Sequence, residues 1–125
     1  MKNIPLRDKL KNILNELESI DPEIEASAVI RSDGLLMASS FRTDLDKNLV
    51  AAMNAAILNI GNRVTSELKR GNLQELIIRA DRGLIVLVNS GKDTILSTIS
   101  KPDSNLGLIL FEMKKAANKI KDFLE

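Results

Sequence analysis

Apolar residues recur at helical spacing in three parts of this chain and alternate with polar ones between them. The first helical pattern covers 5–20, where Leu6, Leu10, Ile13, Leu14, Leu17 and Ile20 are spaced so as to share one helix face. Lys9, Lys11, Asn12, Glu16 and Glu18 fall mostly outside that stripe. Pro5 suits a first turn, where its missing N–H costs nothing. Asp21-Pro22 ends the helix, because the residue before a proline is pushed out of helical geometry.

An alternating stretch follows at 24–31. Ile24, Ala26, Ala28 and Ile30 should face one way, and Glu25, Ser27, Val29 and Arg31 the other. Ser32-Asp33-Gly34 reads as a turn, since Asp33 and Gly34 tolerate positive φ, and 35–39 is the returning strand of a hairpin. Asp33 is assigned to turn chemistry rather than to metal binding or catalysis.

The second helical pattern covers 46–71. Leu49, Met53, Ala56, Ile57, Ile60, Val64 and Leu68 form a stripe expected to face the core. Asp46, or Asp44 before it, is the candidate N-cap. Lys69 and Arg70 suit the negative end of the helix dipole, and Gly71 can take the left-handed turn that stops the helix. The opposite face reads Ala51, Ala55, Leu58, Asn62 and Thr65, without a charge. Either the helix simply favours alanine, or this is a second contact surface where small side chains let another backbone approach closely. The second reading is the expectation carried forward.

Strands are expected at 73–80, 84–89 and 94–99, joined by the turns Asp81-Arg82-Gly83 and Ser90-Gly91-Lys92-Asp93. Links this short permit only antiparallel neighbours, so the three form a meander. The nearly unbroken apolar run at 84–89 suggests a strand covered on both faces. Ser90-Gly91-Lys92 lacks the glycine-rich loop and following helix of a phosphate loop. A last helix follows Lys101-Pro102, capped by Ser104 or Asp103, with Leu106, Leu110, Met113, Ala117, Ile120 and Leu124 inward and Ile109 and Phe123 flanking. Lys114, Lys115, Lys119 and Lys121 read as a solvated helix end. The order αββαβββα is that of an α+β domain.

Composition narrows the function. At 125 residues the chain is one domain, 1–125. Eighteen Lys and Arg against 17 Asp and Glu leave a net charge of +1, and three Phe are the only aromatics, so neither charge nor stacking favours nucleic acid. Without Cys or His there is no thiolate or imidazole to ligate a metal or act as nucleophile or base. No cofactor, metal or catalytic residue is expected. The charged N-terminus MKNIPLRDKLKNIL is unlike a signal peptide. Runs such as LIVLV at 84–88 fall far short of the ~20 residues of a membrane span. A soluble, cytoplasmic protein is the expectation.

Four segments in this order resemble the roadblock / dynein light-chain family, and its prokaryotic members of the MglB type in particular. They are SAVIRSDGLLMAS at 27–39, LVAAMNAAILNIGNRVTSEL at 49–68, LIIRADRGLIVLVNSG at 76–91 and LGLILFEMKKAA at 106–117. The resemblance implies a roadblock, profilin-like fold. Its five-stranded antiparallel sheet has the central helix on one face and the terminal helices on the other. It also implies a homodimer, or a pairing with a second roadblock domain, in which the third strands join the two sheets and the central helices lie together. Prokaryotic members bind a small Ras-like GTPase and can act on its nucleotide cycle by activation or exchange. Other relatives are passive scaffolds or dynein light chains. The family has no shared catalytic residue, and no long C-terminal extension like that of some bacterial relatives is expected here.

A non-enzymatic, GTPase-regulating interaction module is therefore the leading expectation, with a passive scaffold or a small-molecule sensor as alternatives. An exposed strand at 73–80 is an aggregation hazard unless a partner covers it, which with the implied pairing places Leu73, Leu76, Ile77 and Ile78 at a dimer interface, and the implied packing of the two central helices adds Leu58. The GTPase is expected on the paired central helices, around Ala51, Ala55, Leu58, Asn59, Asn62 and Arg63. The alanines, asparagines and leucine among them cost less to immobilise than the Lys and Glu of the other helices. Arg42 and Arg82 are the arginines best placed to reach a transferring phosphate, though an ordinary surface role is the simpler reading of both.

Overall fold

The computed structural model describes residues 4–125. They form α1 (Leu6–Ile20), β1 (Ile24–Arg31), β2 (Leu36–Phe41), α2 (Lys47–Glu67), β3 (Glu75–Ala80), β4 (Gly83–Asn89), β5 (Thr94–Ser100) and α3 (Leu106–Leu124). One five-stranded sheet has the order β2-β1-β5-β4-β3, with every pair antiparallel. The meander is present as expected, and β1 lies beside β5, which leaves β2 and β3 as edges. Val29 pairs with Ala38 but Ile30 with Leu36, so Met37 is an extra, bulged residue on β2.

The helices make two layers. α1 and α3 cover one face through Leu10, Leu14, Leu17, Ile109, Met113 and Ile120, which pack on Ile24, Val29, Leu84, Val86, Val88 and Leu96. α2 covers the other face, over Ala28, Ile30, Leu87 and Ile95. β1 and β4 are thus buried on both sides, which for β4 explains its nearly continuous apolar character. The simple alternation expected for 24–31 fails at Ile24, which sits with Val29 in the α1–α3 layer while Ala28 and Ile30 face α2. The β1–β5 register shifts between Ile24 and Ala26, and that shift separates Ile24 from the alternation that follows.

Several local expectations are corrected. Leu6 and Ile20, at the ends of the α1 stripe, are exposed, whereas Glu18 is buried. Its carboxylate accepts a 2.6 Å hydrogen bond from Ser27 Oγ and lies 3.2 Å from Arg42 Nε. Asn105, rather than Ser104 or Asp103, caps α3 by accepting from the Leu108 N–H, while the Ser104 hydroxyl donates to Lys101 O. Asp46 caps α2, accepting from the N–H groups of Asn48 and Leu49. Gly71 does take a positive φ, 88°, but the left-handed residue nearest the end of α2 is Lys69, at φ 56°, two positions earlier. The Lys69 N–H bonds Ser66 O and the Arg70 N–H bonds Thr65 O, so the last carbonyls are satisfied without glycine.

Candidate interaction site

α2 meets the sheet through Ala51, Asn54, Ala55 and Leu58, all buried. Small side chains let the helix lie close to the pleated surface, and two further contacts fix its orientation. Asn54 Nδ2 donates to Ser97 Oγ at 2.7 Å. A Cβ on Gly61 would stand 3.0 Å from Leu73 Cδ2 and 3.1 Å from Leu76 Cδ1, so glycine is what lets these two leucines pack under the helix. The close approach expected of the small-residue face is real, but the approaching backbone is the chain's own sheet.

Ala51, Ala55 and Leu58 therefore cannot form a partner surface, nor Leu58 a dimer contact, since Leu58 is only 3% exposed. The stripe expected inside is the outer face. Met53 and Ile60 are each 62% exposed, and Leu49, Val64 and Leu68 lie in line with them at 56%, 49% and 64%. The reversal has a physical cause: both faces of this helix are uncharged, so periodicity finds two apolar faces without saying which one meets the sheet. The missed signal was Asn54 and Gly61. On the small face, an amide between two alanines marks where a buried hydrogen bond is made, and a glycine where a tight contact is made.

Of the other expected partner residues, Asn59, Asn62 and Arg63 are exposed on α2. Asn59 Nδ2 donates to Ser32 O at 3.2 Å, and Arg63 pairs with Glu67 at 3.6 Å. Leu73 precedes β3 and packs with Leu76 toward α2, so neither is a freely presented interface side chain. Ile77 is 40% exposed. Ile78 lines an apolar groove with Leu49, Met53, Ile57, Ile85 and Ile99, between α2 and the sheet. Because β3 pairs only with β4 among the described residues, its outer edge continues this apolar surface.

The arginines differ in their freedom. Arg42 is fastened: its Nε faces Glu18 Oε1 at 3.2 Å and its Nη2 donates to Glu18 O at 2.9 Å. Arg82 is exposed in the β3–β4 turn. Asp33 performs turn chemistry, accepting from the Leu35 N–H and pairing with Arg31 at 2.6 Å. The Arg31 hydrogen bond, with help from the Leu35 N–H, holds the Asp33 carboxyl below its ordinary value and raises Arg31 in turn. Among the described residues, no group of three His, Cys, Asp or Glu could hold a metal, and no helix is long and apolar enough to cross a membrane.

A five-stranded antiparallel sheet with α2 alone on one face and α1 and α3 on the other defines a roadblock-like α+β domain. A Roadblock/LC7 domain model matches residues 9–100, and the chain belongs to this family. It is 35% identical over 114 residues to the uncharacterized protein MJ0310 of Methanocaldococcus jannaschii, spanning 91% of this chain and 96% of that protein. Its fold is similar to that of Myxococcus xanthus MglB, with TM-score 0.88 at 16% identity over 99% of this chain and 92% of that one. A structure described as MglB with tetrameric arrangement gives TM-score 0.88 at 14% identity, covering 98% and 92%.

Proposed function

We propose that this chain is a non-enzymatic module that forms a homodimer, or pairs with a second roadblock domain, and binds and regulates a small Ras-like GTPase. The exposed aliphatic stripe of α2 beside the unpaired β3 edge carries the reading. Five large side chains in one row, continued by the groove at Ile78, are apolar surface of the kind that marks an interface. A second copy can cover both features at once, since a two-fold interface is self-complementary. The tetrameric arrangement named for an MglB structure supports assembly among proteins of this fold.

With Ala51, Ala55 and Leu58 in the core, Asn59, Asn62 and Arg63 are the residues of the expected site that stay open to a GTPase. A single site on the two-fold axis gives one GTPase per two chains. The test is a calorimetric titration of the purified chain with a Ras-like GTPase from the same organism, loaded in turn with each nucleotide, followed by turnover and exchange assays. Binding at one GTPase per two chains, with altered turnover or exchange, is the expected result. Binding that leaves both rates unchanged makes the protein a scaffold, and absence of binding removes the GTPase reading.

A further inference from the structure

The other edge of the sheet carries a different chemistry. β2 pairs only with β1, so its outer backbone groups have no strand partner among the described residues. Arg7 and Lys11 of α1 and Lys47 of the first turn of α2 line one recess with Met37, Ala38 and Ser39 of this strand. Arg7 and Lys11 are one helical turn apart and project side by side. α1 and α2 lie on opposite faces of the sheet, so the cations flank the edge from both sides. No acidic residue lines the recess, and none of the three cations forms an ion pair among the described residues.

We propose that the β2 edge binds an extended acidic segment of a partner protein as an added strand. The two features act on different parts of such a segment. The free β2 edge takes main-chain hydrogen bonds, which give affinity with little sequence preference. Successive side chains of an added strand point to opposite faces, so alternate carboxylates can meet Arg7 and Lys11 on one side and Lys47 on the other. The same cations disfavour a second β2, because joining two such edges would bring like charges together. Charge here both guards the edge against self-pairing and selects the partner. The bulge at Met37 limits regular pairing to 38–41, so one end of the added strand lies in the cationic recess.

The test uses the full chain and a short labelled peptide that alternates glutamate and valine, with a matched peptide carrying lysine in place of glutamate. Fluorescence anisotropy should show binding of the acidic peptide alone, weakened by salt. Combined Arg7→Glu, Lys11→Glu and Lys47→Glu should lower affinity by about tenfold or more. Amide hydrogen exchange on the unaltered protein, which needs no variant to fold, should slow within 37–41 when the acidic peptide binds. Equal binding of the basic peptide would overturn the proposal, as would unchanged affinity in the folded triple variant or slowing confined to β3. So would binding to vesicles of anionic phospholipid with no binding of the peptide, which would assign the cations to a lipid surface.

Discussion

Asn54 and Ser97 hold each other through a 2.7 Å hydrogen bond between α2 and the central strand of the sheet, and both side chains are buried. Removing one partner leaves a buried polar group unsatisfied, at a cost of about 1–3 kcal/mol. Asn54→Ala should therefore lower stability by that amount in urea unfolding. The double variant Asn54→Ala, Ser97→Ala should cost less than the sum of the singles, since neither orphan remains. Additive effects would show that the bond contributes nothing.

Arg42 secures the end of β2 to the buried Glu18 carboxylate. Arg42→Ala leaves that carboxylate with Ser27 as its remaining side-chain partner, and should cost about 1–3 kcal/mol of stability. Thermal unfolding measures it directly, and an unchanged midpoint would contradict the fastening role.

If the chain stimulates a GTPase, the expected route is indirect, by arranging the GTPase's own residues. Arg82→Ala should then reduce turnover by less than about tenfold, because an exposed charge chiefly tunes association. An arginine delivered to the phosphate contributes on the order of 10³-fold or more. A loss of that size with binding intact would refute the indirect mechanism.

The Arg31–Asp33 pair gives a pH dependence of known sign. A carboxylate whose folded pKa is depressed contributes stability that is present above its unfolded value and is lost as pH falls through the lower folded one. The contribution from Asp33 should be intact at neutral pH and fade only below about 3.8. Following Asp33 by NMR titration, Arg31→Ala should move its midpoint upward. A midpoint that stays in place would mean the guanidinium is not the cause.

Element order and the antiparallel meander were legible because they rest on periodicity and on links too short for crossovers, whereas the placing of the helices on the two faces came from the family resemblance alone. The faces of α2 were not. Leu58 and Ile60 are both apolar residues of one helix, and only the tertiary contacts of Asn54 and Gly61 decide which is buried. Glu18 was misplaced for a related reason: its partners Ser27 and Arg42 lie nine and 24 positions away, beyond any local pattern. Gly71 is left-handed as expected, but Lys69 is too, because two backbone hydrogen bonds at the helix end offset the cost of a side chain there. The β3 edge was foreseen as a run of apolar residues, but not the division that turns Leu76 inward and leaves Ile77 exposed.

Sedimentation equilibrium of the chain across low micromolar concentrations, beside Ile60→Lys and Leu58→Lys, tests the assignment of the outer face most directly. The unaltered protein should be a dimer. Ile60→Lys should be a folded monomer by circular dichroism, because its charge meets the partner copy and remains solvated without it. Leu58→Lys should fail to fold, since it forces an unpaired ammonium into the core at a cost of several kcal/mol, roughly. A well-folded, unaltered monomer at every concentration, or an Ile60→Lys protein that dimerises as tightly as the original, would contradict the interface.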